Sequence, residues 1–171
     1  MRHIAACHRA LGHQEETLNY YRRAEALTPN NVSLTLTIGH VLLEQNQTSQ
    51  ALQQYFKADL MDNAKHRAWR PIAWCSFLLN DYDRALDYYD RIARDDEPTA
   101  QDMLNRGHVL LCKGSTQEAI ATYREALRLM DGDSKKFRTA FKGDAMELRR
   151  HGVSTVDQAL VPDAVCSARQ D

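Results

Sequence analysis

Apolar and small residues recur along this chain at helical spacing and, on a longer scale, every 34 residues. Within one unit, Leu52, Tyr55 and Ala58 are three residues apart, so they share one helix face. The register is unbroken from residue 5 to 126. The aligned positions are Ala5, Gly39, Ala73 and Gly107; Gly12, Asn46, Asn80 and Gly114; Thr17, Ala51, Ala85 and Ala119; Leu18, Leu52, Leu86 and Ile120; and Tyr21, Tyr55, Tyr89 and Tyr123.

This repeat predicts a helix, a short turn and a second helix in each unit. Small residues on both helices allow close approach, and Gly or Asn at the turn tolerates the left-handed conformation of a helix end. A single pair cannot bury its apolar face, so the units are expected to stack. The predicted helices span about 2–11, 14–27, 32–45, 48–61, 66–79, 82–94, 100–113 and 116–130.

A different pattern follows the fourth unit. The break 131–134 precedes a predicted ninth helix at about 135–150. Short helices are predicted at 155–160, capped by Ser154, and at 162–168, opened by Pro162. One face of the ninth helix is apolar and the other is basic, as a terminal capping helix requires. The apolar face carries Phe137, Phe141, Ala145 and Leu148, and the basic face Lys135, Lys136, Arg138, Lys142 and Arg149.

The first helix lacks a polar cap, because Met1 falls a few residues inside it. Its inner face would be left uncovered. We interpret the chain as the C-terminal piece of a longer array, with a natural start and a frayed first helix as the alternative.

Composition narrows the class of protein. The 22 basic and 23 acidic residues nearly cancel, which disfavours a nucleic-acid partner. The four cysteines have no CxxC spacing and are expected to be free thiols in a reducing compartment. Since no apolar run approaches the roughly 20 residues of a membrane span and no signal peptide is visible, we expect a cytoplasmic protein.

These sets of aligned positions, called ladders below, resemble the pattern of the tetratricopeptide repeat family. Repeat four matches the family pattern through Gly107, Ala119, Tyr123 and Ala126. Repeat one closes with Leu27-Thr-Pro29-Asn-Asn31, whereas repeats two and three lack Pro at that place. The resemblance implies an all-α, right-handed superhelix of antiparallel helix pairs with a C-terminal capping helix. The predicted repeats are 1–31, 32–65, 66–99 and 100–131, followed by the closing segment 132–171.

In that family the first helices of the pairs line a concave groove that binds ligands. The resemblance therefore implies a groove whose centre is apolar and whose C-terminal end is basic. Aromatic and Arg residues are typical interface hot spots, so we expect a partner segment with acidic and apolar residues. The candidate groove residues are His40, Leu43, Arg67, Arg70, Trp74, Phe77, Asn105, His108, Lys135 and Arg138. Alternatively, the aromatic residues pack against neighbouring helices and the basic residues form a solvated face.

Some family members hold a peptide carboxylate with a clamp of Lys, Asn, Asn, Lys and Arg. Arg70, Asn105 and Lys135 occupy three of those places, while Trp74 and Thr139 replace the second Asn and the Arg. The clamp is incomplete, which disfavours binding of a chaperone tail.

Neither a metal site nor an enzyme is predicted. His40 and His108 lie two repeats apart, and neighbouring helices pack about 10 Å apart, so the two cannot share one zinc ion. GxSxG, GxxxxGK[ST], GxGxxG and HExxH motifs are missing, and no cofactor is implied.

The function expected from the sequence is a protein-interaction module or scaffold. The alternatives are a small secretion-type chaperone and a non-catalytic repeat domain attached to an upstream enzyme or other domain.

Overall fold

The computed structural model describes residues 1–63 and 65–167, in which helices alternate with short turns. Ala64 and Ala168, the last residue of the predicted helix 162–168, lie outside the described residues, as do 169–171. The all-α prediction is confirmed, and no described helix is long and apolar enough to cross a membrane. The helices are α1 Arg2–Ala10, α2 Gln14–Leu27, α3 Val32–Glu44, α4 Thr48–Met61, α5 Trp69–Leu78, α6 Tyr82–Asp95, α7 Ala100–Cys112, α8 Thr116–Leu129, α9 Ser134–Gly143, α10 Ala145–Arg150 and α11 Thr155–Cys166.

The chain divides into two compact units, Met1–Leu79 and Asn80–Asp171. In the first unit, α1 packs on α2, α2 on α3, α3 on α4 and α4 on α5. In the second unit, α6 packs on α7 and α7 on α8, while α9 and α11 cover α8 and contact each other. The predicted repeat boundaries follow sequence register and not this division, so they stay a prediction.

The turn between the two helices of each repeat has the predicted conformation. The φ angles of Gly12, Asn46, Asn80 and Gly114 are 75°, 60°, 62° and 82°. Backbones in this left-handed region favour Gly and Asn, because other side chains meet the following carbonyl group. The backbone of the turn therefore explains why Gly or Asn recurs at these four aligned positions.

The tyrosine ladder lies in the core, where no ring exposes more than 6% of its surface: Tyr21, Tyr55, Tyr89 and Tyr123. In repeats two and four the ring lies directly against a glycine of the first helix. A Cβ atom built on Gly39 would lie 2.5 Å from Cε1 of Tyr55, and one on Gly107 would be closer still to Tyr123. The ring contact therefore requires glycine at both positions, because any side chain there would leave no room for the tyrosine.

Helix α5 begins at Trp69, three residues later than predicted. Proline has no N–H, and its ring clashes with the carbonyl group four residues earlier, so it fits best within the first turn of a helix. Starting at Trp69 makes Pro71 the third helical residue. The φ angle of His66 is 55°, which is incompatible with a right-handed helix, so the helix cannot include this residue.

Two predictions about the closing segment are wrong. The predicted helix 135–150 is interrupted at Asp144, between α9 and α10, where Gly143 is a poor helix former. The two predicted short helices form one helix, α11, with Pro162 inside it. Val161, Pro162 and Val165 are buried together, and we attribute the continuation of α11 to this packing, which offsets the lost hydrogen bond.

The N-terminus of α7 is stabilised by a capping box. The hydroxyl group of Thr99 accepts from the amide of Asp102, and the Asp102 carboxylate accepts from the amide of Thr99 at 2.8 Å. We expect Thr99→Ala to lower the free energy of unfolding by about 1 kcal/mol, because one amide of the first turn loses its acceptor. Thr116→Ala, at an exposed first-turn position of α8, is the control. Equal effects in urea unfolding would contradict the capping role.

Candidate functional site

Trp74 is the largest accessible aromatic side chain among the predicted groove residues. It is half-buried on α5, and its ring centroid lies 5.3 Å from that of Phe77. Phe77 exposes 0% of its surface, so it supports Trp74 from below and is not itself accessible to a ligand. Arg70 lies one helical turn before Trp74 and is also half-buried. The structure thus places a supported indole ring and a guanidinium group side by side on α5.

Arg67 anchors the loop before α5. Its Nε atom donates to Oδ1 of Asp62 at 2.9 Å, its main-chain amide donates to Oδ2 at 3.0 Å, and Nη1 donates to Ser33 Oγ at 3.2 Å. Asp62 exposes only 3% of its surface, and the Arg67 guanidinium holds the pKa of this carboxyl group below its usual value. The charge of Arg67 is therefore already balanced within the first unit.

His40 and Leu43 lie one turn apart on α3. His40 is exposed, and its Nδ1 atom lies 2.7 Å from the hydroxyl group of Tyr55. Leu43 is half-buried. Next to them, Arg9 of α1 forms an ion pair with Glu44 of α3. The exposed part of α3 therefore combines an imidazole edge with an apolar patch and a neutralised ion pair.

His108 repeats the contact of His40 in a different environment. Its Nδ1 atom lies 2.8 Å from the Tyr123 hydroxyl group, and its Nε2 atom lies 3.2 Å from Oδ2 of Asp144. A carboxylate accepts hydrogen bonds, so Nε2 carries the proton and Nδ1 accepts from Tyr123. The ring of Phe141, on α9, packs against that of His108 at 5.5 Å. His108 exposes 0% of its surface and therefore belongs to the core of the second unit.

The buried imidazole of His108 makes stability depend on pH. Burial lowers its pKa below the ordinary 6.5, although the Asp144 carboxylate opposes this shift. The unfolded chain then binds more protons at mildly acidic pH, so His108 costs stability as the pH falls below about 6.5. We expect the free energy of unfolding to fall between pH 7.5 and 5.5, and to fall less in His108→Gln. His3→Gln, an exposed position on α1, is the control. The same pH dependence in both variants would refute this role.

Asn105 and Lys135 are two further predicted groove residues in the second unit. Asn105 is half-buried on α7, and its Oδ1 atom accepts from Gln101 Nε2 at 2.8 Å. Lys135 is exposed in the first turn of α9. Their assignment to the ligand-binding groove stays a prediction.

Arg138 faces α11. Its Nη1 atom donates to Oδ1 of Asp163 at 2.8 Å. It also lines a cleft of about 360 Å³ formed by α9, α10 and α11, whose apolar wall includes Phe141 and Pro162. Lys142 and Arg149 line the same cleft.

This cleft is not predicted by the sequence pattern. The pattern places the basic residues on a wet face and divides the last residues between two separate short helices. The available signal was the spacing of Arg138, Lys142 and Arg149, followed by the largely apolar segment 155–166. Only the packing of one continuous α11 against α9 converts that basic stripe into one wall of a cleft.

The four cysteines are free thiols, as the sequence predicted. Burial raises the pKa of Cys75 and of Cys112 to about 12. Both are therefore protonated and weakly nucleophilic at neutral pH. Among the described residues, no group of three or more His, Cys, Asp or Glu side chains could hold a metal ion.

The repeat geometry agrees with a match to a sequence profile, described as tetratricopeptide repeat, over residues 2–132. The chain belongs to the tetratricopeptide repeat family. Members of this family are generally non-catalytic repeat scaffolds. The match covers all four predicted repeats apart from Met1.

Solved structures share this fold. A MamA structure is 20% identical with a TM-score of 0.70, covering 94% of each chain. MamA from Desulfovibrio magneticus RS-1 is 13% identical with a TM-score of 0.73, covering 99% of this chain and 95% of its own. YrrB, described as a tetratricopeptide protein with an unusual peptide-binding site, is 18% identical with a TM-score of 0.66, covering 99% and 90%. These likenesses establish the solenoid fold of paired helices.

The search of curated proteins found no significant match to the chain.

Proposed function

We propose that this chain is a protein-interaction module. It binds a polypeptide segment on the face formed by the first helix of each repeat, and above all by α3 and α5. The observation that carries the proposal is Trp74, a half-exposed indole ring held in place by the buried Phe77. An aromatic ring ordered in advance loses little conformational entropy on binding, which suits an anchor residue. The non-catalytic character of the family supports a scaffold over an enzyme.

The chemistry of this face supports a segment with apolar and acidic residues. Leu43 and Trp74 supply apolar surface, and Arg70 supplies the adjacent positive charge. We propose Trp74 as the apolar anchor and Arg70, one helical turn before it on α5, as the group that meets acidic residues of the segment.

YrrB supports the same class of partner, since its description names a peptide-binding site. At 18% identity the likeness does not transfer the position of that site. For this reason, the chemistry of the proposed partner is inferred from the residues of α3 and α5 alone.

The test is a selection of peptides from a random display library against the wild-type chain, followed by titration of the selected peptides. We expect Trp74→Ala and Arg70→Glu each to weaken binding at least about tenfold, as for interface hot spots. Arg22→Glu reverses an equivalent charge on the exposed side of α2 and serves as the matched control.

Thermal unfolding of each variant distinguishes loss of binding from loss of fold. Peptides that bind all three variants as tightly as the wild type would overturn the proposal. So would a selection enriching only basic segments, because Arg70 would repel them.

A further inference from the structure

The cleft between the closing helices has the build of a second binding site. Its apolar wall comes from Phe141 on α9 and from Ala159 and Pro162 on α11. Its volume of about 360 Å³ falls in the range of ligand pockets and exceeds one large side chain. Phe141 and Pro162 are buried at the base of this wall, whereas Ala159 is exposed.

The polar residues of the cleft are cationic or neutral. Three basic side chains line it: Arg138, Lys142 and Arg149. No Asp or Glu is among the described residues that line it, and Asp163 meets it only through its ion pair with Arg138. Within residues 1–63 and 65–167, neither Lys142 nor Arg149 has an ion-pair partner. Two positive charges beside an apolar wall are therefore left unbalanced by the described part of the chain.

We propose that this cleft binds an acidic segment of a partner polypeptide, with one large apolar side chain inserted between α9 and α11. The site lies entirely on α9–α11, so the inference does not rest on the face of α3 and α5.

The distribution of charge favours a segment with several carboxylates over a small monoanion. Arg138 lies one turn before Lys142 on α9, and Arg149 lies in the last turn of α10, beyond the joint at Asp144. The cations thus come from successive turns of α9 and from the separate helix α10. Carboxylates on both sides of an apolar residue would meet them in turn, and such complementarity also accelerates association.

Arg138 can exchange its present partner, Asp163, for a carboxylate of the bound segment. Its ion pair with Asp163 is exposed, with side-chain exposures of 46% and 68%, so a partner carboxylate can compete with Asp163 at little cost. A bidentate contact to the guanidinium would then replace a contact that contributes little to stability.

The experiment is a titration of the ¹⁵N-labelled full chain, followed by NMR, with the blocked peptide Asp-Asp-Gly-Phe-Gly-Asp-Asp. We expect saturable shifts confined to amides of residues 138–162. The Asn-for-Asp peptide and the Ala-for-Phe peptide should each bind at least about tenfold more weakly. Octanoate, which has one carboxylate and an apolar chain, is the small-molecule arm.

Lys142→Glu and Ala159→Phe test the charge and the space separately, since the second fills the cleft without changing its charge. Both should weaken the acidic peptide at least about tenfold with little change in melting temperature. Lys136→Glu, on the same helix but outside the lining, is the matched control.

Equal binding of the acidic and neutral peptides would overturn the proposal, as would saturable octanoate binding without peptide binding. Shifts confined to α3 and α5 would also overturn it while leaving the proposed function intact. Conversely, if Trp74→Ala loses the peptides selected from the display library and still shows the cleft shifts with Asp-Asp-Gly-Phe-Gly-Asp-Asp, the two sites are separate. That result would support both proposals.

Discussion

Replacing Gly107 with alanine is expected to lower the free energy of unfolding by about 1–3 kcal/mol. The new Cβ atom would overlap the ring of Tyr123, with Cε1 and Cδ1 both within 2.5 Å of its position. Tyr123 cannot move aside easily, because it is fully buried and its ring packs against Phe141 at 5.4 Å. Helix propensity favours alanine over glycine by up to about 1 kcal/mol, so the measured loss is the steric cost less this gain.

Gly143→Ala is the matched control in the same unit. A Cβ atom there meets nothing within 4 Å, and its φ is not in the left-handed region, so only the propensity gain remains. Urea unfolding followed by circular dichroism should therefore show a lower free energy of unfolding for Gly107→Ala and a slightly higher one for Gly143→Ala. In Gly107→Ala/Tyr123→Leu the overlap is relieved, and the two effects should be less than additive. Full additivity would show that the ring contact is not the cause.

Glycine and alanine alternate at this ladder position, and the reason could not be predicted from sequence. The pattern of Gly39, Ala73 and Gly107 predicts a small residue where helices approach, and the structure agrees. The distance between one tyrosine ring and one backbone depends on helix placement to within a few tenths of an ångström. Periodicity fixes which residues face each other and does not fix that distance.

Local rules predicted most of the helices, and failed where two of them competed. The repeat periodicity favoured a start of α5 at residue 66, although Pro71 already pointed to a later start. At Pro162 the same rule favoured a break, yet the buried face of α11 continues through it. In the first case local sterics dominated, and in the second tertiary packing did.

The candidate site was less predictable than the fold. His40 and His108 occupy identical positions in identical pentapeptides, yet one is exposed and the other exposes 0% of its surface. The difference arises because α9 covers His108, which no residue of repeat four specifies. Arg67 likewise pairs with the buried carboxylate of Asp62, and the sequence gives no sign of that burial. Side-chain availability is set by neighbours distant in sequence, so it needs the packed structure.

Truncating Phe141 to alanine is expected to have the largest effect, about 3–5 kcal/mol, because it leaves a cavity in the core of the second unit. Phe141 exposes 2% of its surface and contacts three other rings, those of His108, Tyr123 and Phe137, at centroid distances of 5.5, 5.4 and 6.1 Å. For a chain of this size, the loss corresponds to a fall in melting temperature of roughly 6–20 °C.

The same variant tests whether burial causes the acid sensitivity of His108. Removing the Phe141 ring should admit water to the imidazole, so its pKa should rise back toward 6.5. The stability difference between pH 7.5 and 5.5 should then shrink, although the protein is less stable at both. Met146→Ala, at a position on α10 that is 60% exposed, should change stability by less than about 0.5 kcal/mol and leave the pH dependence intact. An unchanged pH dependence in Phe141→Ala would mean that α9 is not what holds His108 neutral.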